Sequence, residues 1–548
     1  MLVFRRARPV LALLVVALLA SCTGGDPSPG PAPTASVDPG PQPEDVVATL
    51  TVPMDGVDVE VRVHPLVRHG EHVLLTLDHL LPDGHDPDED VRIDSHSVAS
   101  FIGQGRSPVN VRLVDLEGDV VHHVAEDRDG VPVTASSIGR SDPIPPEGAR
   151  LQAAYAAPAP DVTSLSLFVP GAPLVADVPV IEGEALLPVA PSAPSSATSP
   201  AATSPVATPT ATAEGVGFAW DEVAAAPTFP LESTSTELDG AVQTTESVER
   251  VEATLGSDVL FEFDSATLTP AAAEAVALVA ERVAERAPGT VSVVGHTDDQ
   301  GDDAYNLDLS QRRAQAVADM LAALVDGASY PTTVQGRGER EPLVANTSEE
   351  NRALNRRVTV TLESTVVTRT DVTATGELPP FTGQTGTAGT GLRIDGSVRQ
   401  WVVDATARRV HDHVVVDVVV GAVDDVQSVG MVAGFMRGFS SHRGDGTVSP
   451  HDVAARVTVL QGATRLFPVD YRVGENETWP GGEWYVVADL NAGARIDGGQ
   501  SRVYSSVYPR LDVDTVVLQV GSGWLEGDFR LLDVPVADDA SRATGDDG

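Results

Sequence analysis

Three stretches of this chain are too poor in large apolar side chains to bury a core, and they decide how the remainder is divided. Residues 23–45, 188–214 and 365–392 are dominated by Pro, Gly, Ser, Thr and Ala. Such segments gain too little from burial to offset the entropy of ordering them, and proline keeps them extended. Taken with the polar residues that follow it, the second stretch is expected to act as a linker over 188–245. Three folded candidates are left, at 46–187, 246–364 and 393–537, followed by an acidic tail at 538–548.

Charge narrows the class of partner. The 548 residues carry a formal net charge of −43, and every one of the 36 basic residues is arginine. Neutralising phosphates requires basic patches, so nucleic acid is not an expected partner.

The chain opens with Arg5, Arg6 and Arg8, an apolar run from Val10 to Ala20, and then Ser21-Cys22 before a polar stretch. A basic start, a short apolar run and small residues mark a secretory signal peptide over 1–21. The run is too short to span a bilayer comfortably. Leu19-Ala20-Ser21-Cys22 resembles a bacterial lipobox, in which the cysteine receives lipid and becomes the mature N-terminus. Cys22 is the only cysteine, so no internal disulfide can form. Residues 22–45 then read as a lipidated cysteine followed by a Pro/Gly tether, with lasting membrane attachment coming from Cys22.

The outer two regions resemble each other. Asp177-Val178-Pro179-Val180 closes the first and Asp533-Val534-Pro535-Val536 the last. Upstream, 161–167 matches 512–518, and 72–77 matches 413–418, in the same order. Period-two alternation in Val57–Val63, Val111–Leu116 and Arg456–Leu460 indicates strands. The expectation is a duplicated all-β sandwich on either side of a different domain.

The middle region alternates strand and helix. Val259–Phe263 is expected to be a strand. Thr269-Pro270 opens a helix that carries Val276, Val279 and Val283 on one face. Strands at 291–295, 332–335 and 358–362 and a second helix over 310–325 complete a βαβαβ order, with a short capped helix near Thr347–Glu350 before the last strand. This predicts a small α/β sandwich with helices over one face of a mixed sheet.

The residues with chemical potential gather in Gly295-His296-Thr297-Asp298, Asn306, Leu309-Ser310, Arg313-Ala314 and Asn355-Arg356-Arg357. Asp298 follows a strand, and Arg313 is placed in the first turn of the next helix. A carboxylate and a guanidinium facing one cleft suit a zwitterion: arginine holds a carboxylate bidentately and aspartate holds an ammonium. The helix N-terminus is expected to add N–H groups for the same carboxylate.

The segments FEFDSATLTP, VVGHTDDQGDDAYNLDLSQRRAQAV, GRGEREPL and NRRV, within 259–362, resemble the OmpA C-terminal, peptidoglycan-binding family. The whole resembles a peptidoglycan-associated lipoprotein with added flanking regions. The resemblance covers roughly one fifth of the chain and implies diaminopimelate in the wall's stem peptide as the ligand, with Asp298 on its amine and Arg313 on its carboxylate. Thr297 belongs to the same ligand-binding set. Asn306 either orders the loop or touches the ligand, and Arg357 supports the site. Arg312 reads as a solvated helix residue and His296 as a structural residue at the strand end.

No thiol nucleophile, metal-ligand spacing or phosphate loop stands out, so neither cofactor nor metal is expected. His64, His69, His72, His122 and His123 read as strand and turn residues. Acidic loops at His85–Asp90 and Asp424-Asp425 lack a full calcium spacing. The sequence points to a non-enzymatic lipoprotein of the cell envelope, on the outer membrane or the outer face of the plasma membrane, that tethers membrane to wall. Envelope proteins are candidate partners of the sandwiches. The alternative is a wall-active hydrolase or sensor that the OmpA-like part delivers. A β-barrel porin would need many lipid-facing strands that the flanking regions do not supply, and a flagellar-stator role a transmembrane helix that the sequence lacks.

Overall fold

The computed structural model describes residues 40–93, 111–139, 142–189, 191, 217–237, 240–364, 376–395, 400–423, 443, 456–474, 483–489, 496, 499–521 and 527–538. Cys22, the expected signal segment, Asp424-Asp425 and most of the tail lie outside the described residues. No described helix is long and apolar enough to cross a membrane.

The first and last regions share one pairing order. In the first, Val57–Val63 pairs with His72–Leu80, which pairs with Ala149–Ala156. Val175–Glu182 pairs with Ser164–Phe168, then Arg112–Asp115, then Val120–His122. In the last, Gln400–Val410 pairs with His413–Ala422 and then Ser501–Arg510. Phe529–Ala537 pairs with Thr515–Val520, then Val457–Gln461, then Thr464–Leu466. Asp177 and Asp533, at matching places in the Asp-Val-Pro-Val segments, both take left-handed backbone, with φ of 53° and 54°. Where the last region has the single strand Gln400–Val410, the first has two, Val57–Val63 and Leu66–His69. Pro65 falls between them and has no N–H to give the ladder.

These regions also touch. Val114, Leu116 and Phe168 of the first meet Val415, Tyr471 and Val507 of the last in one buried apolar cluster. Arg112, fully buried, donates to the carbonyls of Val486 at 2.8 Å and Ala488 at 2.7 Å. The Arg502–Asp489 pair has no solvent exposure at 2.6 Å, and Asp489 also accepts from the Gly171 backbone N–H at 3.0 Å.

The expected linkers are shorter than their composition suggests. Within 188–245 lie the strands Thr228–Pro230 and β1 (Ser233–Glu237), and within 365–392 lies Gln384–Thr387. Thr228–Pro230 adds to the edge strand Val120–His122, and β1 adds to the equivalent edge strand Thr464–Leu466 of the other region. Open strand edges recruit extended polar chain because they offer unpaired backbone groups.

The middle region contains β2 (Val242–Glu246), β3 (Arg250–Gly256), α1 (Ser257–Leu260), α2 (Pro270–Ala284), β4 (Thr290–His296), α3 (Asp303–Leu321), β5 (Thr332–Gly338), α4 (Glu349–Asn355) and β6 (Arg357–Glu363). The strand order is β5-β4-β6-β3-β2-β1, with β4 parallel to β5 and the others antiparallel. Val276, Val279, Val317 and Leu321 of α2 and α3 pack on Val291, Val293, Val358 and Val360 of this mixed sheet. Thr269 caps α2 by accepting from Ala272 N–H, and Ser348 caps α4 by accepting from Asn351 N–H.

Two expected elements are displaced. The segment Val259–Phe263 is not a strand: the chain turns through α1 and leaves the sheet. The place beside β6 is taken by β3, whose seven residues all pair. The helix expected to begin at Ser310 begins at Asp303, because Asp302 caps it by accepting from the Ala304 and Tyr305 N–H groups.

Candidate functional site

A cavity of about 550 Å³ opens where the end of β4, the side of α3 and the turn after α1 converge. Thr297, Asp298, Asn306 and Arg313 all line it. The helix places the last two: positions 306 and 313 are two turns apart on one face of α3. Close helix–sheet packing fixes that face. A Cβ on Gly295 would come within 2.2 Å of the Ser310 carbonyl oxygen, and one on Gly336 within 2.5 Å of the Gln311 nitrogen. Ser310 Oγ accepts from the Gly338 N–H at 2.9 Å and ties α3 to β5.

Arg313 is buried, with its Nε–H donating to the Ser265 carbonyl at 2.8 Å and its guanidinium 5.2 Å from the Phe261 ring centroid. Among the described residues it makes no ion pair. Burial lowers its pKa, partly offset by Asp258 and Asp264 nearby. A desolvated guanidinium without a carboxylate is a receptor for an anion. It sits in the third turn of α3 rather than the first, so the helix N-terminus expected to assist it is elsewhere.

Asp298 is buried and held from two sides. Its Oδ1 accepts from the Gln300 N–H at 3.2 Å, and its Oδ2 from Arg356 Nη1 at 2.7 Å. Arg356 also makes a two-pronged pair with Asp258, at 3.0 and 2.7 Å, and reaches Glu349 at 3.0 Å. These carboxylates push the Arg356 pKa up. An ionised carboxylate has about four acceptor positions, so Asp298 retains capacity for an ammonium. Thr297 Oγ1 is buried without a hydrogen-bond partner among the described residues.

Asn306 orders the loop. Its Nδ2 donates to the Gln300 carbonyl at 3.1 Å and Glu339 Oε2 at 2.7 Å, with a longer contact to the Asp298 carbonyl. Arg357 does not line the cavity. Its guanidinium donates to the carbonyls of Asn355 at 3.3 Å and Glu341 at 3.2 Å, and burial draws its pKa down to about 10. Arg356 occupies the place expected of Arg357, because the strand β6 begins at 357 and turns adjacent side chains to opposite sides. His296 is buried with its pKa pushed down to about 4, first by burial and then by Arg357 and Arg337. No group of three metal-ligating side chains occurs among the described residues.

The OmpA family model matches residues 260–356, the span that holds Asp298, Asn306, Arg313 and Arg356. Residues 260–356 are an OmpA family domain. Outer membrane porin F of Pseudomonas fluorescens is 42% identical over 108 residues, 20% of this chain and 32% of the porin. The probable lipoprotein YiaD of Escherichia coli K12 is 38% identical over 121 residues, 22% of this chain and 55% of that protein. The chain thus matches from about a third to about half of these relatives. A solved structure of the type VI secretion cell wall anchor of Pseudomonas aeruginosa is 34% identical, aligning 23% of this chain with 88% of that one at a TM-score of 0.21. The peptidoglycan-associated lipoprotein of Burkholderia pseudomallei is 29% identical, aligning 19% with 86% at a TM-score of 0.17. The flanking regions lie outside the OmpA family match, and their strands are the surroundings into which that domain is built.

Proposed function

We propose that this chain is a non-enzymatic envelope protein whose OmpA family domain grips peptidoglycan through the diaminopimelate of its stem peptide. Asp298 takes the ammonium and Arg313 the carboxylate of one amino-acid head group. The observation that carries this reading is that both side chains line one cavity while Arg313 has no carboxylate partner among the described residues. Arg356 fixes the Asp298 carboxylate, and Asn306 fixes the loop that bears it.

The anchoring half of the proposal rests on the sequence at Cys22. A lipid there holds the chain in an envelope membrane, residues 23–45 act as a tether, and the domain holds the wall. The two flanking regions are proposed to be repeats of one β-sandwich and to offer surfaces to other envelope proteins.

Two experiments test the halves separately. Asp298→Ala and Arg313→Ala should each abolish co-sedimentation with purified diaminopimelate-type peptidoglycan while leaving far-UV circular dichroism unchanged; retained binding by both variants would falsify the site. Cys22→Ser should stop incorporation of labelled fatty acid and release the protein from the membrane fraction.

A further inference from the structure

Phe263 lies at the mouth of the cavity with 99% of its surface exposed. Burying a phenylalanine is ordinarily worth about 1.5–3 kcal/mol, and this ring gains none of it. Its position is held, not frayed. The turn around it is closed by Glu262 N–H to the Thr267 carbonyl at 3.1 Å and by Ser265 N–H to the Glu262 carbonyl at 3.1 Å. Asp264, next in the chain, takes left-handed backbone at φ 53°, and its carboxylate accepts from the Tyr305 hydroxyl at 2.7 Å. Tyr305 is itself 42% exposed and lines the same mouth. One turn therefore does two things: its Ser265 carbonyl aims Arg313, and its Phe263 ring stands outside the entrance.

The cavity is larger than one amino-acid head group needs, and lies in the ~300–1,000 Å³ range of pockets that enclose whole small ligands. Beside the ring the rim is acidic, with Glu262 and Asp264 adjacent to Phe263 in the chain. Like charges repel in so confined a space, which disfavours an anionic group beside the ring. A neutral group with an apolar face fits. In peptidoglycan the neutral part with such faces is the pyranose ring of the N-acetylated amino sugars, while the stem peptide carries carboxylates.

We infer that Phe263, with Tyr305 beside it, is a second contact that stacks on an amino-sugar ring of the glycan strand whose stem peptide enters the cavity. This rests on the head-group reading of Asp298 and Arg313 and extends it outward. The chain would then distinguish a stem peptide still carrying its sugars from one that has been released.

The test is calorimetric titration of the purified full chain and its Phe263→Ala and Phe263→Trp variants. The ligands are free diaminopimelate, the diaminopimelate tripeptide and the disaccharide tripeptide. The parent should bind the disaccharide tripeptide about five- to tenfold more tightly than the tripeptide, the size of one aromatic contact. Phe263→Ala should remove that advantage without changing the affinity for the other two, and Phe263→Trp should keep it. Equal parent affinities for the two peptides overturn the proposal. So does a Phe263→Ala variant that keeps the advantage, or one that weakens the tripeptide equally, which would put the ring against peptide. A parent that binds none of the three overturns the head-group reading itself, and this contact with it.

Discussion

Arg356 and Asp298 are joined at 2.7 Å across the floor of the cavity, although 58 residues separate them in the chain. Arg356 is in turn clamped by Asp258 and Glu349. On the proposed reading, a carboxylate so fixed would meet an ammonium without having to be ordered first, which is where a binding site gains most from its supporting contacts.

Arg356 and Arg357 are therefore expected to behave oppositely. Arg356→Gln should weaken wall binding about tenfold while changing the unfolding midpoint little, since losing one orienting contact is worth about 1.4 kcal/mol. Arg357→Gln should leave the affinity of the folded protein unchanged and lower stability by about 0.5–1.5 kcal/mol, because its hydrogen bonds to the Asn355 and Glu341 carbonyls are lost in a partly exposed place. Urea unfolding and peptidoglycan co-sedimentation, run on the same preparations, separate the two. Reversal of the pattern would return Arg357 to the site.

Acid should loosen the fold before it protonates most carboxylates. Burial holds His79 and His296 down near 4 and His123 near 3, against an ordinary value of 6.5. Below pH 6.5 the unfolded chain takes up protons that the folded one refuses. Stability is thus complete above that pH and lost as pH falls towards 4, by up to about 1.4 kcal/mol per unit for each histidine. Asp78 and Asp119, whose pKa values are also lowered, extend the loss below that window. Unfolding midpoints measured from pH 7.5 to 4.5 should fall steadily, and His79→Leu should flatten the slope; a flat parent profile is the contrary result.

The two flanking regions should lose stability together. Replacing Asp489 by Asn leaves Arg502 charged and without solvent, a change worth about 3–5 kcal/mol. Because Asp489 also accepts from Gly171 of the other region, amide exchange should accelerate in both Ser164–Phe168 and Ser501–Arg510. Acceleration confined to the last region would mean that the regions open independently.

Much of the cavity could be read from residue order because its parts lie on regular elements. The Asp298–Arg313 relation needed only a strand end and one helix face. Placing Arg356 required knowing where β6 begins, since a shift of one residue turns the neighbouring side chain to the other side. The start of α3 depends on the cap geometry of Asp302, which residue order alone does not display. The Phe261–Phe263 pattern read as strand because alternation alone does not say which segment wins the place beside β6. The linkers were overestimated because composition records what a segment lacks by itself. Thr228–Pro230 becomes a strand only through an edge that a distant part of the chain provides, and β1 joins such an edge besides its hairpin with β2.

The ladder that runs from β5 through β1 to Thr464–Leu466 has a mechanical consequence. Force applied to whatever sits between Asp298 and Arg313 does not end in a slack connector. It spreads through successive rows of backbone hydrogen bonds into the last region, so the proposed grip and that region would strain together.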